Sequence, residues 1–413
     1  MVNEFEKKTM KTVLSMNLGN FGSTGRIMSG IGETAQKSGD ISYQAYPGNK
    51  NNQLAKPNDI IICSDFVKKL NQKLAYYTGL NGCFAWISTL RVLKKIDTIK
   101  PDILHLHNLH NSYINLPLLF NYIKKHNIKT VWTLHDCWAF TGQCPHFTMV
   151  KCGRWKTGCH DCPSYREYPE SKVDQTRIMW KLKKKWFTGV ENMTIVTPSK
   201  WLANLVKESY LGEYPVKVIN NGIDLSVFRP VDNNFRQRYA IGEKKIILGV
   251  AFDWGVRKGL DVFVELAEKL DEEKLQIVLV GTDETVDKTL PKNIISIHRT
   301  HNQKELAEIY TAADVFVNPT REDNYPTVNM EAIACGTPVI TFNTGGSPES
   351  IGEYTGLVTK CNDASELKQT LNQFFESKIG FKEKCVELST DFDKNNKYEE
   401  YMELFKSIIQ QNK

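Results

Sequence analysis

Residues 318–340 read Asn318-Pro319-Thr320-Arg321-Glu322-Asp323-Asn324-Tyr325-Pro326-Thr327-Val328-Asn329-Met330-Glu331-Ala332-Ile333-Ala334-Cys335-Gly336-Thr337-Pro338-Val339-Ile340. A short apolar run precedes them at 314–318, and another closes them at 338–342. Between the two lie a turn-rich loop and a helix-forming segment that Gly336 stops, which predicts strand, loop, helix, strand. Pro326 suits the first turn of that helix. The backbone amides of Thr327 and Val328 then lack intrahelical partners and offer a site for an anion. Asp323 stands in the loop, and Glu331 follows eight residues later on the helix.

The same alternation extends in both directions. Strands are predicted at 245–250, 275–280 and 294–298, and helices at 260–270 and 304–312. The first half repeats the plan, with strands at 13–17, 41–46, 102–106, 130–134 and 194–197 and helices at 26–38 and 116–126. Strands that alternate with helices predict βαβ units and parallel sheets. The Asn220-Asn221-Gly222 turn, with Pro230 after it, marks a connection between the halves. The expected fold class is therefore α/β, with two Rossmann-like domains facing across a cleft. The first domain spans 1–220, with a Cys-rich insertion at 140–165. The second spans 221–390, and 391–413 is a helix expected to pack back toward the first. In such sheets ligands collect at the carboxyl ends of the strands.

The chain has 413 residues, 41% of them hydrophobic and 24% charged, which excludes a disordered or fibrous protein. There is no run of about 18 apolar residues, and the N-terminus carries two early acids, so neither a membrane span nor a signal peptide is expected. The net charge of +6 hides an asymmetry: residues 1–225 carry 30 Lys and Arg against 17 Asp and Glu, a balance of +13, and 226–413 carry 23 against 30, a balance of −7. Two unlike halves suggest two different partners.

Candidate chemistry falls at the strand ends. Spacing allows Asp323 and Glu331 to hold sugar hydroxyls and a ribose, with phosphates on the helix end between them. It equally allows an acidic loop and a solvated helix position. Arg257 and Lys258 follow the strand at 245–250 and are phosphate-binding candidates or solvated loop cations. Thr133-Leu134-His135-Asp136 ends one strand of the first half, and His105, His107 and His110 crowd the end of another, where three imidazoles also permit a metal site. The loop Gly22-Ser23-Thr24-Gly25 before a helix is a weak phosphate cradle.

These motifs resemble the E-x7-E signature of retaining, nucleotide-sugar-dependent glycosyltransferases of the group 1 type, which have the GT-B fold. Asp323 and Glu331 match the two acids, with Asp at the first place where the family has Glu. Ala332 to Val339 and Thr344-Gly345-Gly346-Ser347-Pro348-Glu349 match as well. Lys258-Gly259 matches the family's Lys-Gly, while Asp253 stands where the family has Arg, so Arg257 is left to supply the guanidinium. The resemblance implies that Asp323 contacts the donor sugar and Glu331 the ribose, with Thr327 and Val328 at the phosphates. It implies that His135 lies beside the donor sugar and that Gly22 and Gly25 approach donor and acceptor. It favours a cleft lining over a metal site for the other histidines.

The implied reaction transfers a sugar from a nucleotide sugar, a UDP-sugar ahead of a GDP-sugar, with retention. It needs neither a protein nucleophile nor a catalytic metal: the acceptor hydroxyl attacks on the face that the phosphate leaves, and a phosphate oxygen takes the proton. A lipid-linked saccharide acceptor in capsule, exopolysaccharide or O-antigen synthesis is expected. The alternatives are a soluble acceptor or a non-catalytic nucleotide-sugar-binding subunit. A dinucleotide-binding oxidoreductase is disfavoured, because no G-x-G-x-x-G follows a first strand.

Two further features remain. Cys144, Cys152, Cys159 and Cys162 lie within nineteen residues, and the final C-x2-C suggests a structural zinc, ahead of reduced thiols or an iron–sulfur cluster. Residues 177–187 mix four lysines with Trp180, Trp186 and Phe187, and 68–95 is a second basic, aromatic segment. Both suit an anionic membrane surface or, equally, a solvated helix with its aromatics in the core; no nucleic-acid module is visible. A cytoplasmic protein associated peripherally with the inner membrane face is expected.

Overall fold

The computed structural model describes residues 11–376 and 381–411. Residues 1–10, which carry the acids read for a targeting signal, and the last two residues of the expected C-terminal helix lie outside the described residues. The chain forms two compact units. One comprises Met1–Pro198, Leu202–Ile219 and Tyr398–Lys413, and the other Ser199–Trp201 and Asn220–Lys397.

The first half runs β1 (Thr12–Met16), α1 (Gly22–Lys37), β2 (Ile41–Tyr46), β3 (Asp59–Ile61), α2 (Asp65–Thr78), α3 (Trp86–Ile99), β4 (Ile103–Leu106), α4 (Leu116–Lys125), β5 (Thr130–Thr133), α5 (Thr176–Phe187), β6 (Met193–Thr197), α6 (Lys200–Glu208) and β7 (Val216–Val218). Its seven strands pair in parallel in the order β3-β2-β1-β4-β5-β6-β7. Strands β4 and β5 are buried along their whole length, as expected for a parallel sheet covered on both faces. The strand order reverses between β1 and β4, so their carboxyl ends flank a crevice.

Helix α1 starts four residues earlier than its periodicity predicts and takes the Gly22–Gly25 loop into its first turn. A Cβ at Gly25 would lie 2.6 Å from the Asn20 carbonyl carbon, so glycine is what lets the turn seat on the preceding backbone.

The Cys-rich insertion is held by aromatic packing. Phe140, Phe147 and Trp155 contact one another with ring centroids 5.1–6.5 Å apart, and Trp180 Nε1 donates to the Trp155 carbonyl at 2.8 Å. Helix α5 turns Met179, Trp180, Lys183, Trp186 and Phe187 inward. Its aromatics therefore follow the packed-helix alternative, and of its four lysines Lys183 is fully buried. Lys183 Nζ donates to the carbonyls of Thr141, at 2.8 Å, and Trp138, and lies 3.7 Å from the Trp138 ring centroid.

The second half runs α7 (Phe235–Arg238), β8 (Lys245–Val250), α8 (Leu260–Lys269), β9 (Leu275–Val280), α9 (Glu284–Asp287), β10 (Ile294–Ile297), α10 (Gln303–Ala312), β11 (Val315–Asn318), α11 (Thr327–Ala334), β12 (Val339–Phe342), β13 (Gly356–Thr359), α12 (Ala364–Glu376), α13 (Phe381–Leu388) and α14 (Lys394–Gln410). Its parallel sheet has the order β10-β9-β8-β11-β12-β13 and lies between two apolar clusters, one around Leu248, Phe316 and Met330 and the other around Phe263, Leu279 and Phe342. The switch point falls between β8 and β11. From Tyr398 onward α14 belongs to the first unit, where Tyr398, Tyr401, Met402 and Phe405 join the cluster of Val13, Ile31 and Val131.

Candidate functional site

The switch point of the second unit brings together two loops that lie far apart in sequence. One follows β8 and carries Arg257 and Lys258 in a single 3-10 turn. The other follows β11 and carries Asp323. Lys258 Nζ lies 2.6 Å from Asp323 Oδ2. Backbone bonds tie the loops together: Arg321 N donates to the Arg257 carbonyl at 2.9 Å. Arg321 also clamps Asp261 with two bonds of 2.7 and 2.8 Å and donates to the Val256 carbonyl. Asp261 is half exposed, so the clamp adds more geometry than energy. Trp254 Nε1 anchors the first loop through the Val280 carbonyl at 2.9 Å. The Arg257 guanidinium reaches the Glu322 carbonyl at 3.5 Å, and Asp253 is exposed.

Helix α11 begins one residue later than expected, with Pro326 as its cap and Thr327 and Val328 as its first two helical residues. Both are half-buried, and as the first helical residues their amides have no intrahelical partner. Asn329 fixes the helix roll: its side chain accepts from Asn318 Nδ2 at 2.8 Å and donates to Ser350 Oγ at 3.0 Å. Glu331 follows two residues on, and its Oε2 accepts from the Tyr310 hydroxyl at 3.3 Å.

Gly345 and Gly346 bring a third loop close. Gly346 N donates to the Asp323 carbonyl at 3.2 Å. A Cβ at Gly345 would lie 1.9 Å from the Asp323 carbonyl oxygen, and one at Gly346 1.8 Å from that of Asn324. Gly345 also has φ +57°, which favours glycine.

In the first unit His105, His107 and His110 are buried, and His135 half-buried, at the ends of β4 and β5. His105 Nε2 is 2.8 Å from Thr133 Oγ1, and His107 Nδ1 is 3.0 Å from His135 Nε2, the latter two rings stacked at 9°. His110 Nδ1 bonds the Tyr168 hydroxyl at 3.0 Å, and its Nε2 lies 3.4 Å from Asp136 Oδ2. Burial pushes His105 down to about 3 and His135 down to about 4, and lowers His107 as well. All three rings are therefore neutral at pH 7. The stack of His107 on His135 escaped the sequence reading, although the two histidines each end a strand.

The four cysteines expected to hold zinc lie between β5 and α5. Among the described residues no group of three or more His, Cys, Asp or Glu is placed to hold a metal ion. The thiols of Cys144 and Cys162 share a hydrogen bond that raises Cys144, and Gly142 N donates to Cys159 Sγ at 3.1 Å. Cys144, Cys152, Cys159 and Cys162 are free thiols, and Cys159 lies within electrostatic reach of the other three.

A doubly wound sheet places ligands at its switch point, where Lys258 and Asp323 stand, and the relatives of the chain are sugar-transferring enzymes. Residues 231–398 match the model of glycosyl transferases group 1, and residues 73–227 match that of glycosyltransferase family 4. A colanic acid biosynthesis glycosyl transferase of Escherichia coli is 27% identical over 286 residues, covering 66% of this chain and 67% of its own length. An N,N'-diacetylbacillosaminyl-diphospho-undecaprenol alpha-1,3-N-acetylgalactosaminyltransferase of Campylobacter jejuni is 24% identical over 221 residues, covering 50% of this chain and 58% of its own. In structure the chain resembles an Anabaena protein solved with UDP and glucose, at a TM-score of 0.64 and 14% identity over 96% of this chain and 100% of that one. The chain belongs to the group 1 glycosyltransferases, enzymes of the GT-B fold.

Proposed function

We propose that this enzyme moves a sugar, with retention, from a nucleotide-sugar donor to a lipid-linked saccharide in cell-envelope polysaccharide synthesis. The observation that carries the proposal is the pairing of Lys258 with Asp323 beside the open amide end of α11. A leaving diphosphate gathers negative charge, and a fixed ammonium with two free amides is the arrangement that stabilises it. Arg257 on the same turn adds a second cation. Asp323 is assigned to a sugar hydroxyl and Glu331 to the ribose. His135, a neutral ring at a strand end, hydrogen-bonds the sugar without adding charge. Gly22 and Gly25 put the first turn of α1 at the carboxyl end of β1, where a donor phosphate or an acceptor can approach.

The reaction needs no protein nucleophile. The acceptor hydroxyl attacks the anomeric carbon on the face that the phosphate leaves and gives its proton to a phosphate oxygen. UDP is favoured as the nucleotide because the Anabaena relative was solved with it. The lipid-linked acceptor is supported by the name of the Campylobacter relative, and polysaccharide synthesis by that of the Escherichia coli one. No helix among the described residues is long and apolar enough to cross a membrane, so meeting a lipid-linked acceptor calls for peripheral attachment, for which the +13 balance of residues 1–225 is suited at an anionic inner face.

Thermal melting with UDP-glucose, UDP-N-acetylglucosamine, UDP-galactose and GDP-mannose tests the donor, since a true donor raises the midpoint by mass action. The anomeric configuration of the product, read by NMR, tests retention. An absence of stabilisation by every nucleotide sugar, or unchanged turnover in Lys258→Ala and Glu331→Ala, overturns the proposal.

A further inference from the structure

Helix α2 presents its apolar stripe to solvent. Its buried residues are Lys68, Asn71 and Ala75. Phe66, Leu70, Leu74 and Tyr77 share the opposite face at helical spacing and are 77, 50, 42 and 51% exposed. Helix α3 opens with a second such group, Trp86, Ile87 and Leu90, which are 59, 67 and 51% exposed. A solvated helix places polar side chains at these positions, so contiguous leucines and aromatics mark a surface with a partner.

The surrounding charge selects the partner. Lys69, Lys73, Arg91, Lys94 and Lys95 on the same two helices are all exposed. Their acids are engaged: Asp65 pairs with Lys68 and Lys69 at 3.0 and 2.8 Å, and Asp97 accepts from the Tyr122 hydroxyl. A second copy of this chain would set like charges against each other. An anionic bilayer satisfies both features, with acyl boundary for the apolar side chains and phosphate for the cations. Tyr77 and Trp86 are the residue types that favour that boundary. Helix α5 lacks such a face, because Trp180, Trp186 and Phe187 are buried.

We infer that α2 and the first turn of α3 form the membrane-docking surface and insert these apolar side chains among anionic headgroups. The inference rests on the peripheral attachment proposed above and fixes where it occurs. The test is co-sedimentation of the full chain with phosphatidylcholine vesicles, with and without phosphatidylglycerol, at low and high salt. Phe66→Ser/Leu70→Ser and, separately, Trp86→Ser/Ile87→Ser are compared with Lys181→Ala/Lys184→Ala/Lys185→Ala on α5. Thermal melting checks that each variant folds. The expected result is binding to the anionic vesicles that survives high salt in part and falls about tenfold or more in each apolar variant. Binding abolished by salt, binding lost only in the α5 variant, no binding by the wild-type chain, or a dimer that the apolar variants dissolve while vesicle binding stays unchanged each overturns it. Vesicle binding is read without donor or acceptor, so it stands or falls apart from sugar transfer.

Discussion

Lys258 Nζ and Asp323 Oδ2 are 2.6 Å apart, with the two side chains only 19 and 21% exposed, although the residues are 65 positions apart in the chain. Neighbouring strands at a switch point supply the two loops, so the pair is a product of topology. Without an anionic ligand, Asp323 neutralises Lys258 and holds its long side chain in place. On the proposed reading, an arriving diphosphate would compete for the ammonium and free Asp323 to accept a hydroxyl. Lys258→Ala is expected to lower donor turnover by about 100–1000-fold, the usual cost of removing one group that stabilises developing charge. Because the two act as a unit, Lys258→Ala/Asp323→Ala should lose little more than the worse single variant, as measured in a double-mutant cycle of kcat/KM. Additive losses would show that the residues act independently.

Gly346→Ala tests the approach of the third loop. Its methyl would meet the Asn324 carbonyl oxygen at 1.8 Å, backbone that cannot rotate away. Either the 343–347 loop or the Asp323–Asn324 segment must move, at a cost of about 1–3 kcal/mol. Turnover is expected to fall about tenfold or more through displacement of Asp323, and the melting midpoint should drop by a few degrees. Full activity in this variant would mean that the position of Asp323 is not critical.

Much of this architecture is readable in the chain, for a physical reason. Parallel strands buried on both faces leave continuous apolar runs such as Ile246–Leu248 and Ile277–Val280, and the amphipathic helices between them carry their own period. Strands β3, β7 and β13 leave weaker traces, being short edge strands with partly exposed residues. The pairing of Asp323 with Lys258 follows from no local pattern, and only the resemblance to a family marks both residues. Helices α2 and α5 mislead in opposite ways. Each mixes lysine with apolar residues, and which side faces inward is set by distant partners: Lys183 is held by carbonyls 42 and 45 residues away.

The neutral histidine layer makes a pH prediction. His105 and His135 titrate near 3 and 4 in the folded chain, against the ordinary 6.5. Between pH 6.5 and 4 the unfolded chain therefore binds more protons, so their stabilising contribution is complete above pH 6.5 and is lost as the pH falls. His105→Leu should make the acid-side loss of stability shallower, by up to about 1.4 kcal/mol per pH unit in urea titrations. Donor turnover should show no ionisation of His135 near the ordinary histidine value. An acid limb there that disappears in His135→Gln would contradict the neutral layer.

Lys183 gives the opposite end of the scale. Burial pushes it down to about 7 from the ordinary 10.5, against a smaller opposing effect of Cys159. Below pH 7 both the folded and the unfolded chain hold the proton, and the penalty of burying the charge is constant. From pH 7 to 10.5 the folded chain has released a proton that the unfolded chain keeps, so stability gained from this residue rises with pH through that window. Other groups titrate there too, but they are common to wild type and variant. The stability of the wild-type chain relative to Lys183→Met should therefore increase from pH 7 to pH 10, by up to about 1.4 kcal/mol per unit. Urea unfolding at intervals across this range measures it. A difference that stays flat would mean that Lys183 keeps its proton, held by the two carbonyls and the face of Trp138 strongly enough to offset its burial.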